Sequence, residues 1–368
     1  MKFGQLLLMT FLAVAAIPAG LAVFAQGNAS GTAGDSQAKN APRESSAPSG
    51  LTGPFSWELS PPIISPQNKR AVEPERAVKD PAIVYDGGKW HLFVTYKCRG
   101  HTAMEYVGFD KWKNADKSPR TILMISDSKY YCGPEVFYFR PQKKWYFIYQ
   151  MSVPGLKKLW VAYSTTTNIA DPTSWTKAQP MLDGSDRDPR KEGGLDYWII
   201  CDDQRAYFFY TNDNGKLWRL WTPIKDFPNG FDHPEIALEA DIYESGHIYR
   251  LKGLNQYIAI IEARGPGDIR YCTAYVADRL DGKWTGLADT QTNPFAGAAN
   301  VTAAAGGTLW ADNISHGELI RDSYDETLTV DPEKLQCLIH GTLQKDKPAS
   351  YQQIPWRIGL LTLKKATK

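Results

Sequence analysis

Short apolar and aromatic runs alternate with polar turns along most of this chain, and no long stretch shows helical periodicity. A turn containing Gly, Asp, Asn or Lys is repeatedly followed by an aromatic-rich run, as in "DGGKWHLFVTY" and "PQKKWYFIYQM". Three further copies are "DDQRAYFFYTN", "GLNQYIAIIEA" and "AGGTLWADNIS", and the five copies lie roughly 50 to 60 residues apart. A repeat of this length, rich in strand-forming residues, predicts one supersecondary unit per copy.

Each copy is preceded by a second apolar run, so every unit begins as a hairpin. These runs are "PAIVY", "EVFYF", "DYWII", "HIYRL" and "NVTAA". Further strand-like stretches such as "RTILMIS", "KLWVAYST", "KLWRLWT" and "IRYCTAYVA" lie between the hairpins and bring each unit to about four strands. We therefore predict an all-β fold, a five-bladed β-propeller, and a pair of β-sandwiches explains the regular spacing less well.

A polar residue starts the first strand of each predicted unit, roughly ten positions before the aromatic centre of the second strand. These residues are Asp80, Glu135, Asp196, Glu244 and Asn300. Because the first strand of a propeller blade lines the central channel, we expect all five at one level around one axis. Carboxylates crowded there repel one another and are partly desolvated, which raises some of their pKa values and marks a functional site.

Paired carboxylates around a pocket are typical of glycoside hydrolysis, in which one protonates the leaving oxygen and another activates water or attacks carbon. A third carboxylate would tune the pKa of the acid, and Lys79, beside Asp80, could offset part of the charge. Any one of these carboxylates alone is more simply explained as a cap at a turn or strand end. Five polar residues in register favour the functional interpretation.

The ends of the chain differ in composition from the rest. Residues 1–25 carry one lysine, then an apolar run interrupted by Pro18 and Gly20, and are interpreted as a secretory signal peptide. Residues 26–54 are mostly Gly, Ala, Ser and Pro and are predicted to be a disordered linker. Residues 55–368 are then the propeller domain of a secreted protein that keeps no membrane segment after cleavage.

Charge and cysteine content narrow the possible partners. The net charge is +2 with both signs interspersed, so nucleic acid is a poor candidate and a neutral polymer a better one. Five cysteines without CxxC spacing argue against a zinc site, and their pairing cannot be deduced from sequence. A propeller closes its own ring of sheets, so we expect a monomer.

Several motifs in order resemble one known family. These include "KDPAIVYDGGKWHLF", "EVFYFRPQKKWYFIYQ", "YSTTTNIADPTSW", "NDNGKLWR", "LDGKWTGLADTQTNPFAG" and "SHGELIRDSYDETLTVDPEKLQ". The stretch from Trp57 to Gly341 is similar to glycoside hydrolase family 62, the arabinofuranosidases of the five-bladed propeller clan shared with family 43. The resemblance implies an inverting exo-enzyme that removes α-L-arabinofuranosyl side groups from arabinoxylan.

The same resemblance assigns roles to residues. It implies that Asp80 is the general base, Glu244 the general acid and Asp196 the aspartate that tunes the acid's pKa. Lys79 and Asn300 would contact the sugar. An inverting mechanism needs the carboxyls of Asp80 and Glu244 about 6.5 to 9.5 Å apart, to leave room for water.

Two further roles follow only from the resemblance. Tyr324 would touch the sugar, and His316 would lie on the propeller axis with a calcium ion and its waters. From the residues alone, His316 could equally be a buried core histidine, since calcium prefers oxygen ligands. "NDNGKLW" looks like part of a calcium loop, but it lacks the later glutamate and is better explained as a tight hairpin turn.

The chain also departs from the family pattern. Glu135 stands where the family usually has a glutamine, and a carboxylate there would add negative charge to the pocket and could not donate a hydrogen bond. Two alternatives to the arabinofuranosidase therefore stay open: a xylosidase or arabinanase like those of family 43, and a carbohydrate-binding propeller without catalysis.

Overall fold

The computed structural model describes residues 50–67, 75–154, 159–182, 194–348 and 350–365. The predicted signal peptide, residues 1–25, lies outside these ranges, and so does the predicted linker up to residue 49. The described strands run from Trp57 to Leu363, within the predicted propeller domain.

Five sheets, antiparallel except for one parallel edge pair in each of two of them, form the five blades predicted from the repeat. The first strand of the chain, β1 (Trp57–Leu59), belongs to the last blade. The first blade consists of β2 (Ala77–Asp86), β3 (Lys89–Lys97), β4 (Thr102–Phe109) and β5 (Arg120–Ile122). The second consists of β6 (Tyr131–Phe139), β7 (Lys144–Met151), β8 (Trp160–Thr166) and β9 (Gln179–Pro180).

The third and fourth blades continue in the same order. The third consists of β10 (Leu195–Cys201), β11 (Arg205–Thr211), β12 (Lys216–Pro223) and β13 (Asp232–Glu239). The fourth consists of β14 (His247–Leu251), β15 (Tyr257–Gly265), β16 (Ile269–Ala277), β17 (Thr285–Thr290) and β18 (Asn293–Pro294).

The fifth blade joins the two ends of the propeller. It begins with β19 (Val301–Ala303) at one edge and β20 (Asn313–Leu319) at the other, and β21 (Thr329–Val330) pairs in parallel with β14 of the fourth blade. The remaining strands are β22 (Gln336–Thr342) and β23 (Arg357–Leu363). Because β1 pairs with both β23 and β19, the beginning and the end of the domain share one sheet, which closes the ring.

Helices are few and short in the described residues. Each is a 3-10 segment of three to six residues: Trp112–Lys117, Arg140–Gln142, Ile224–Asp226, Pro266–Asp268, Pro332–Lys334, Gln344–Asp346 and Tyr351–Gln353. None of the helices in these ranges has the length and apolar character needed to cross a bilayer.

The sequence prediction for the fifth blade was wrong in register. "NVTAA" was expected to be the innermost strand, with the second strand around Leu309, but β19 is the outermost strand of its sheet and Leu309 lies outside the strands. The innermost strand is β20, followed by β22. The error arose because β1 supplies part of this blade from the other end of the chain, so the last unit does not repeat in sequence order.

A β-bulge interrupts the innermost strand of the blades at one level. One residue there has a positive φ: Asp80 (49°), Gly133 (65°), Asp196 (48°), Ser245 (59°) and His316 (52°). In four blades the pairing register shifts beside this residue. We call these five residues the bulge ring. Bulges re-aim side chains and are common beside active sites, so this backbone feature determines which residues face the axis.

A layer of buried side chains lies two positions beyond the bulge ring and fills the channel. Trp198 stacks on His247 with ring centroids 4.0 Å apart, and Tyr249 donates a hydrogen bond of 2.5 Å to Glu318. Arg321 donates to the carbonyl oxygens of Ile83 and Val136, at 2.6 and 2.9 Å, and so links the first two blades from within the axis. The channel is therefore closed below the bulge ring.

All five cysteines are buried and carry free thiols. They are Cys98, Cys132, Cys201, Cys272 and Cys337. The sequence left open whether they pair, and the structure places each of them in the core as a small apolar residue.

Candidate active site

One pocket opens at the bulge ring and has a volume of 450 Å³. Its lining combines four cations, five carboxylates and three tyrosines: Lys79, Arg264, Arg270, Lys347, Asp80, Asp196, Asp213, Glu244, Asp268, Tyr130, Tyr243 and Tyr351. Three of the carboxylates, Asp80, Asp196 and Glu244, are the predicted catalytic residues, and the structure brings them together.

Asp80 is held as a carboxylate. It is 4 % exposed, and its Oδ2 lies 2.8 Å from the Nζ of Lys79, while its Oδ1 lies 3.6 Å from the Nδ1 atoms of both His316 and His340. Burial opposes ionisation, but Lys79, His316 and His340 outweigh it and hold the pKa of Asp80 well below its ordinary value. Asp80 is therefore ionised in the pocket.

Glu244 has the opposite electrostatic environment. It precedes β14, and its Oε1 accepts a hydrogen bond of 2.7 Å from the guanidinium of Arg270. Burial raises the pKa of Glu244 well above its ordinary value, and the negative charges of Glu262 and Asp196 add to the effect against the attraction of Arg270. The protonated form of Glu244 is therefore favoured relative to that of an ordinary glutamate.

Asp196 lies among hydrogen-bond donors. Its Oδ2 accepts from the backbone N–H and the hydroxyl of Ser245, both at 3.1 Å, and its Oδ1 accepts from Gln150 at 3.3 Å. Burial raises the pKa of Asp196, Asp80 adds to this effect and His316 opposes it. The Ser245 hydroxyl is also 2.5 Å from the Nδ1 of His316, so Asp196 is linked through Ser245 to the histidine beside Asp80.

Lys79 lies in the pocket as predicted. Burial disfavours its charge, but Asp80 and Tyr351 reverse the effect, and the pKa of Lys79 is raised well above its ordinary value. It therefore remains a cation and keeps Asp80 ionised.

Several pocket residues were missed by the sequence analysis, and three of them are informative. Arg270 contacts Glu244, Tyr351 lines the wall, and Asp213 lies in the predicted hairpin turn "NDNG", where burial raises its pKa to about 6. Arg270 and Tyr351 follow the predicted strand starts, on β16 and after β22, so the repeat carried no signal for them. Asp213 has φ 58°, as expected for a tight turn.

The sequence profile of glycosyl hydrolase family 62 matches residues 67–362, which is most of the chain. The chain belongs to glycosyl hydrolase family 62. This confirms the resemblance found in the sequence motifs and favours family 62 over family 43.

Relatives in family 62 agree with this assignment. Alpha-L-arabinofuranosidase C of Cellvibrio japonicus is 37% identical over 322 residues, which are 86% of this chain and 48% of the relative. The chain thus spans about half the length of that protein. The solved catalytic domain of a Coprinopsis cinerea family 62 alpha-L-arabinofuranosidase is 34% identical with a TM-score of 0.78, covering 85% of this chain and 98% of that domain.

A third relative was solved with a ligand. A family 62 hydrolase in complex with xylotriose is 33% identical with a TM-score of 0.75, and the alignment covers 83% of this chain and 97% of that one. All three relatives are at least 33% identical to this chain, so the similarity extends beyond the fold to the sequence of family 62.

Glu135 does not reach the pocket of this family 62 chain, and its predicted place in the ring was wrong. It lies two positions beyond Gly133, in the layer that fills the channel, and is fully buried. Its Oε2 accepts a hydrogen bond of 2.7 Å from the backbone N–H of Ile199. Burial raises the pKa of Glu135 well above its ordinary value, which disfavours its charged form.

Asn300 was also placed wrongly. It precedes β19 at the outer edge of its sheet, and its side-chain amide donates to the carbonyl oxygens of Phe55, Pro294 and Phe295 at 3.2, 2.8 and 3.0 Å. Asn300 therefore ties the start of the domain to the fourth blade and does not line the pocket.

Tyr324 lies at the opposite end of the blades. Its ring packs against Tyr138 and Trp145, with centroids 5.9 and 5.4 Å apart, and it is 41% exposed. Tyr138 is five residues along β6 from Gly133, or about 16 Å at the usual rise per residue. The predicted contact of Tyr324 with a sugar in the pocket was wrong, and Tyr351 is the tyrosine beside Lys79.

His316 lies on the axis and lines the pocket, as predicted. Its Nδ1 contacts Ser245 and Asp80, and its Nε2 is buried without a hydrogen-bond partner. Calcium prefers six to eight oxygen ligands. In the described ranges no group of three or more His, Cys, Asp or Glu side chains is arranged to hold a metal ion, and calcium on the axis stays a prediction.

Proposed function

We propose that this protein hydrolyses α-L-arabinofuranosyl side groups of an arabinoxylan-type polysaccharide by an inverting acid and base mechanism. The observation that carries the proposal is the pair Asp80, which is buried, and Glu244, which is partly exposed: both line one pocket, and their pKa values are shifted in opposite directions. Two titratable groups with diverging pKa values are the arrangement by which one site supplies a base and an acid together. A protein that only binds a carbohydrate requires neither an acid nor a base.

The mechanism uses each residue in a distinct role. Glu244 donates its proton to the glycosidic oxygen as the bond to the arabinose breaks. Asp80, kept ionised by Lys79, removes a proton from a water molecule that attacks the anomeric carbon from the opposite face. Asp196 contributes the negative charge that keeps the proton on Glu244.

Removal of a single terminal sugar agrees with the closed channel. The buried layer of Trp198, His247, Glu318 and Arg321 lies beneath the bulge ring, so a polymer chain cannot thread the axis. A closed pocket admits a chain end or a branch. This supports removal of branches over cleavage within a main chain.

The substrate class is supported by the relatives. Two of them carry the name alpha-L-arabinofuranosidase, and a third was solved with xylotriose, a fragment of a xylan main chain. The neutral, polar character of such a polymer suits a pocket whose charges are largely paired internally. Secretion and a monomeric state complete the proposal, and no step of the mechanism is routed through calcium.

The test is release of free arabinose from wheat arabinoxylan by the purified protein and by Glu244→Gln, with proton NMR of the first product. Glu333→Gln, an exposed glutamate far from the pocket, is the matched control. We expect arabinose of inverted anomeric configuration from the wild type and from the control, and a loss of about 10²- to 10⁴-fold in Glu244→Gln. Binding of the polymer without arabinose release would instead support a carbohydrate-binding propeller, and a retained configuration would contradict the roles given to Asp80 and Glu244.

A further inference from the structure

Arg270 donates hydrogen bonds to two carboxylates through a single nitrogen. Its Nη1 lies 2.7 Å from the Oε1 of Glu244 and 2.5 Å from the Oε1 of Glu262. The guanidinium is 2% exposed and faces the rings of Tyr243 and Tyr351, at 5.1 and 5.3 Å from their centroids. Its position is therefore fixed by packing, and the two carboxylates share one positive charge.

The two carboxylates differ in their other contacts. Glu262 is fully buried, and its Oε2 accepts from the hydroxyl of Ser315 at 2.5 Å and from the backbone N–H of His316 at 3.1 Å. Both of its oxygens thus accept from donors, which is the pattern of an ionised carboxylate. Glu244 is 18% exposed and lines the pocket, and Arg270 donates only to its Oε1.

An arginine next to a general acid poses a problem for the proposed reaction. A guanidinium with no other counter-ion would stabilise the ionised form of Glu244 and so remove the proton that the leaving group needs. In this structure the closer contact of Arg270 is with Glu262. Glu262 therefore neutralises the charge of Arg270, and Glu244 contacts a guanidinium that is already paired.

We propose that Glu262 is a positioning residue that holds the charge of Arg270 and thereby leaves Glu244 able to carry the proton for the leaving group. This inference rests on the proposed function, since it assigns the protonation of the same acid. Arg270 in turn fixes the direction of Glu244 through the Oε1 contact and leaves the other oxygen for the proton.

The charges that face Glu244 agree with this role. They come from Glu262 on β15, Asp196 on β10, Arg270 on β16 and Lys79 on β2, together with the phenols of Tyr243 and Tyr351. Lys79 is already paired with Asp80 at 2.8 Å, so Arg270 is the cation that Glu262 and Glu244 share. Removal of the charge of Glu262 leaves Arg270 without its closest anion, which favours ionisation of Glu244.

The test is the pH dependence of kcat/KM for arabinose release by Glu262→Gln, a change of nearly equal volume. Loss of the acid's proton sets the alkaline limb of the profile. We expect this limb to move about one pH unit lower, with a loss of about tenfold per unit above it. The acidic limb, set by the base, should not move, and KM should stay within about twofold because Glu262 does not touch the pocket.

Two variants provide the controls. Glu326→Gln removes a 2% exposed carboxylate that pairs with Arg140 at 2.9 Å near the far end of β6, and should leave both limbs unchanged. Glu262→Asp keeps the charge and should restore the alkaline limb of the wild type. An unmoved limb in Glu262→Gln, or a loss of activity equal at all pH values, overturns the proposal.

A measurement without substrate separates this proposal from the proposed function. Infrared difference spectra between wild type and Glu244→Gln at pH 7 report whether Glu244 is protonated. We expect a protonated carboxyl band in the wild type that is absent in Glu244→Gln and weakened in Glu262→Gln. An ionised Glu244 in the wild type overturns the role of Glu262 even if Glu262→Gln does not fold, whereas failure of the wild type to release arabinose overturns only the proposed function.

Discussion

Asp80 and His316 occupy the same position in two different blades, and their side chains meet, with Asp80 Oδ1 3.6 Å from His316 Nδ1. Each is the positive-φ residue of a bulge on an innermost strand, with φ of 49° and 52°. The backbone repeats from blade to blade while the residue type changes. An acid pocket therefore arises from a structural repeat, because the bulge turns whichever side chain it carries toward the axis.

Asp80→Asn should destabilise the protein far more than Glu244→Gln does. Asp80 is ionised and pairs with the nearly buried Lys79 at 2.8 Å, so its neutral replacement leaves a cation without its closest partner. Breaking a buried pair on one side costs about 3–5 kcal/mol. The pKa of Glu244 is raised well above its ordinary value, so folding works against its charged form and glutamine should not destabilise the protein.

Urea unfolding at pH 7 measures both variants directly. Asp80→Asn should also lower kcat by about 10²- to 10⁴-fold, through loss of the base. Equal destabilisation by the two substitutions would mean that the carboxyls do not differ in protonation.

Glu244→Gln should become more stable relative to the wild type as pH rises. The folded protein keeps the Glu244 proton above the pH near 4.3 at which an unfolded glutamate loses it. The native state then binds more protons than the unfolded state, so the unfolding free energy of the wild type falls by up to about 1.4 kcal/mol per pH unit. Glutamine removes this term.

Asp80 makes the unfolding free energy depend on pH in the opposite direction. Its folded pKa is depressed, so its stabilising contribution is present above the unfolded value near 3.9 and is lost as pH falls below it. Thermal unfolding of wild type, Glu244→Gln and Asp80→Asn from pH 3 to pH 8 separates the two effects. A constant difference between wild type and Glu244→Gln over this range would contradict a raised pKa at Glu244.

The sequence predicted the propeller because strands and turns repeat locally. Alternating apolar residues and turn signals such as "DGG" define each hairpin, and Gly87 and Gly88 take the positive φ values, 54° and 80°, that this turn needs. Four innermost strands were placed correctly in this way. The fifth blade was not, since its sheet combines β1 with strands from the end of the chain, and a pairing between distant segments leaves no local pattern.

The candidate site was predicted in part for the same reason. Asp80, Asp196, Glu244 and Lys79 were found because they lie at or next to the bulge. Glu135 was misplaced by two positions, because counting residues along the sequence does not reveal the bulge in this strand. The missed wall residue Tyr351 comes from a loop, where no periodicity indicates which side chains reach the pocket.

Glu135→Gln should leave both stability and activity close to those of the wild type. Glu135 is fully buried, and burial raises its pKa well above the ordinary value, so the residue is a neutral carboxylic acid. The glutamine oxygen can accept the same hydrogen bond from the Ile199 N–H. We expect a change of about 1 kcal/mol or less in urea unfolding and less than about twofold in kcat/KM.

A large fall in activity for Glu135→Gln would show that this position acts on the pocket after all. Glu135→Ala serves as the comparison, because it removes the acceptor from a buried N–H and should cost about 1–3 kcal/mol.

Five thiols should be detected in the unfolded protein without any reductant. All five cysteines are buried and unpaired, and burial raises the pKa of the Cys132 thiol to about 11. A thiol reagent such as DTNB should therefore react slowly with the native protein and with all five groups in guanidinium chloride. Three thiols instead of five would indicate one disulfide and contradict the structure.

Tyr351 and Tyr324 form a matched pair for locating the sugar. Tyr351 lines the pocket beside Lys79, and burial, with Glu244 and Asp80, raises its pKa to about 12, so its phenol remains a hydrogen-bond donor. Tyr324 is similarly exposed, at 41% against 38%, but lies at the other end of the blades.

Tyr351→Ala should lower kcat/KM for arabinose release by about 10- to 100-fold, as expected when a wall and a donor are removed. Tyr324→Ala should leave kcat/KM unchanged and lower the midpoint of thermal unfolding, because its ring packs on Tyr138 and Trp145. The reverse result would move the substrate to the opposite face of the propeller, away from Asp80 and Glu244, and the assignment of the active site would be wrong.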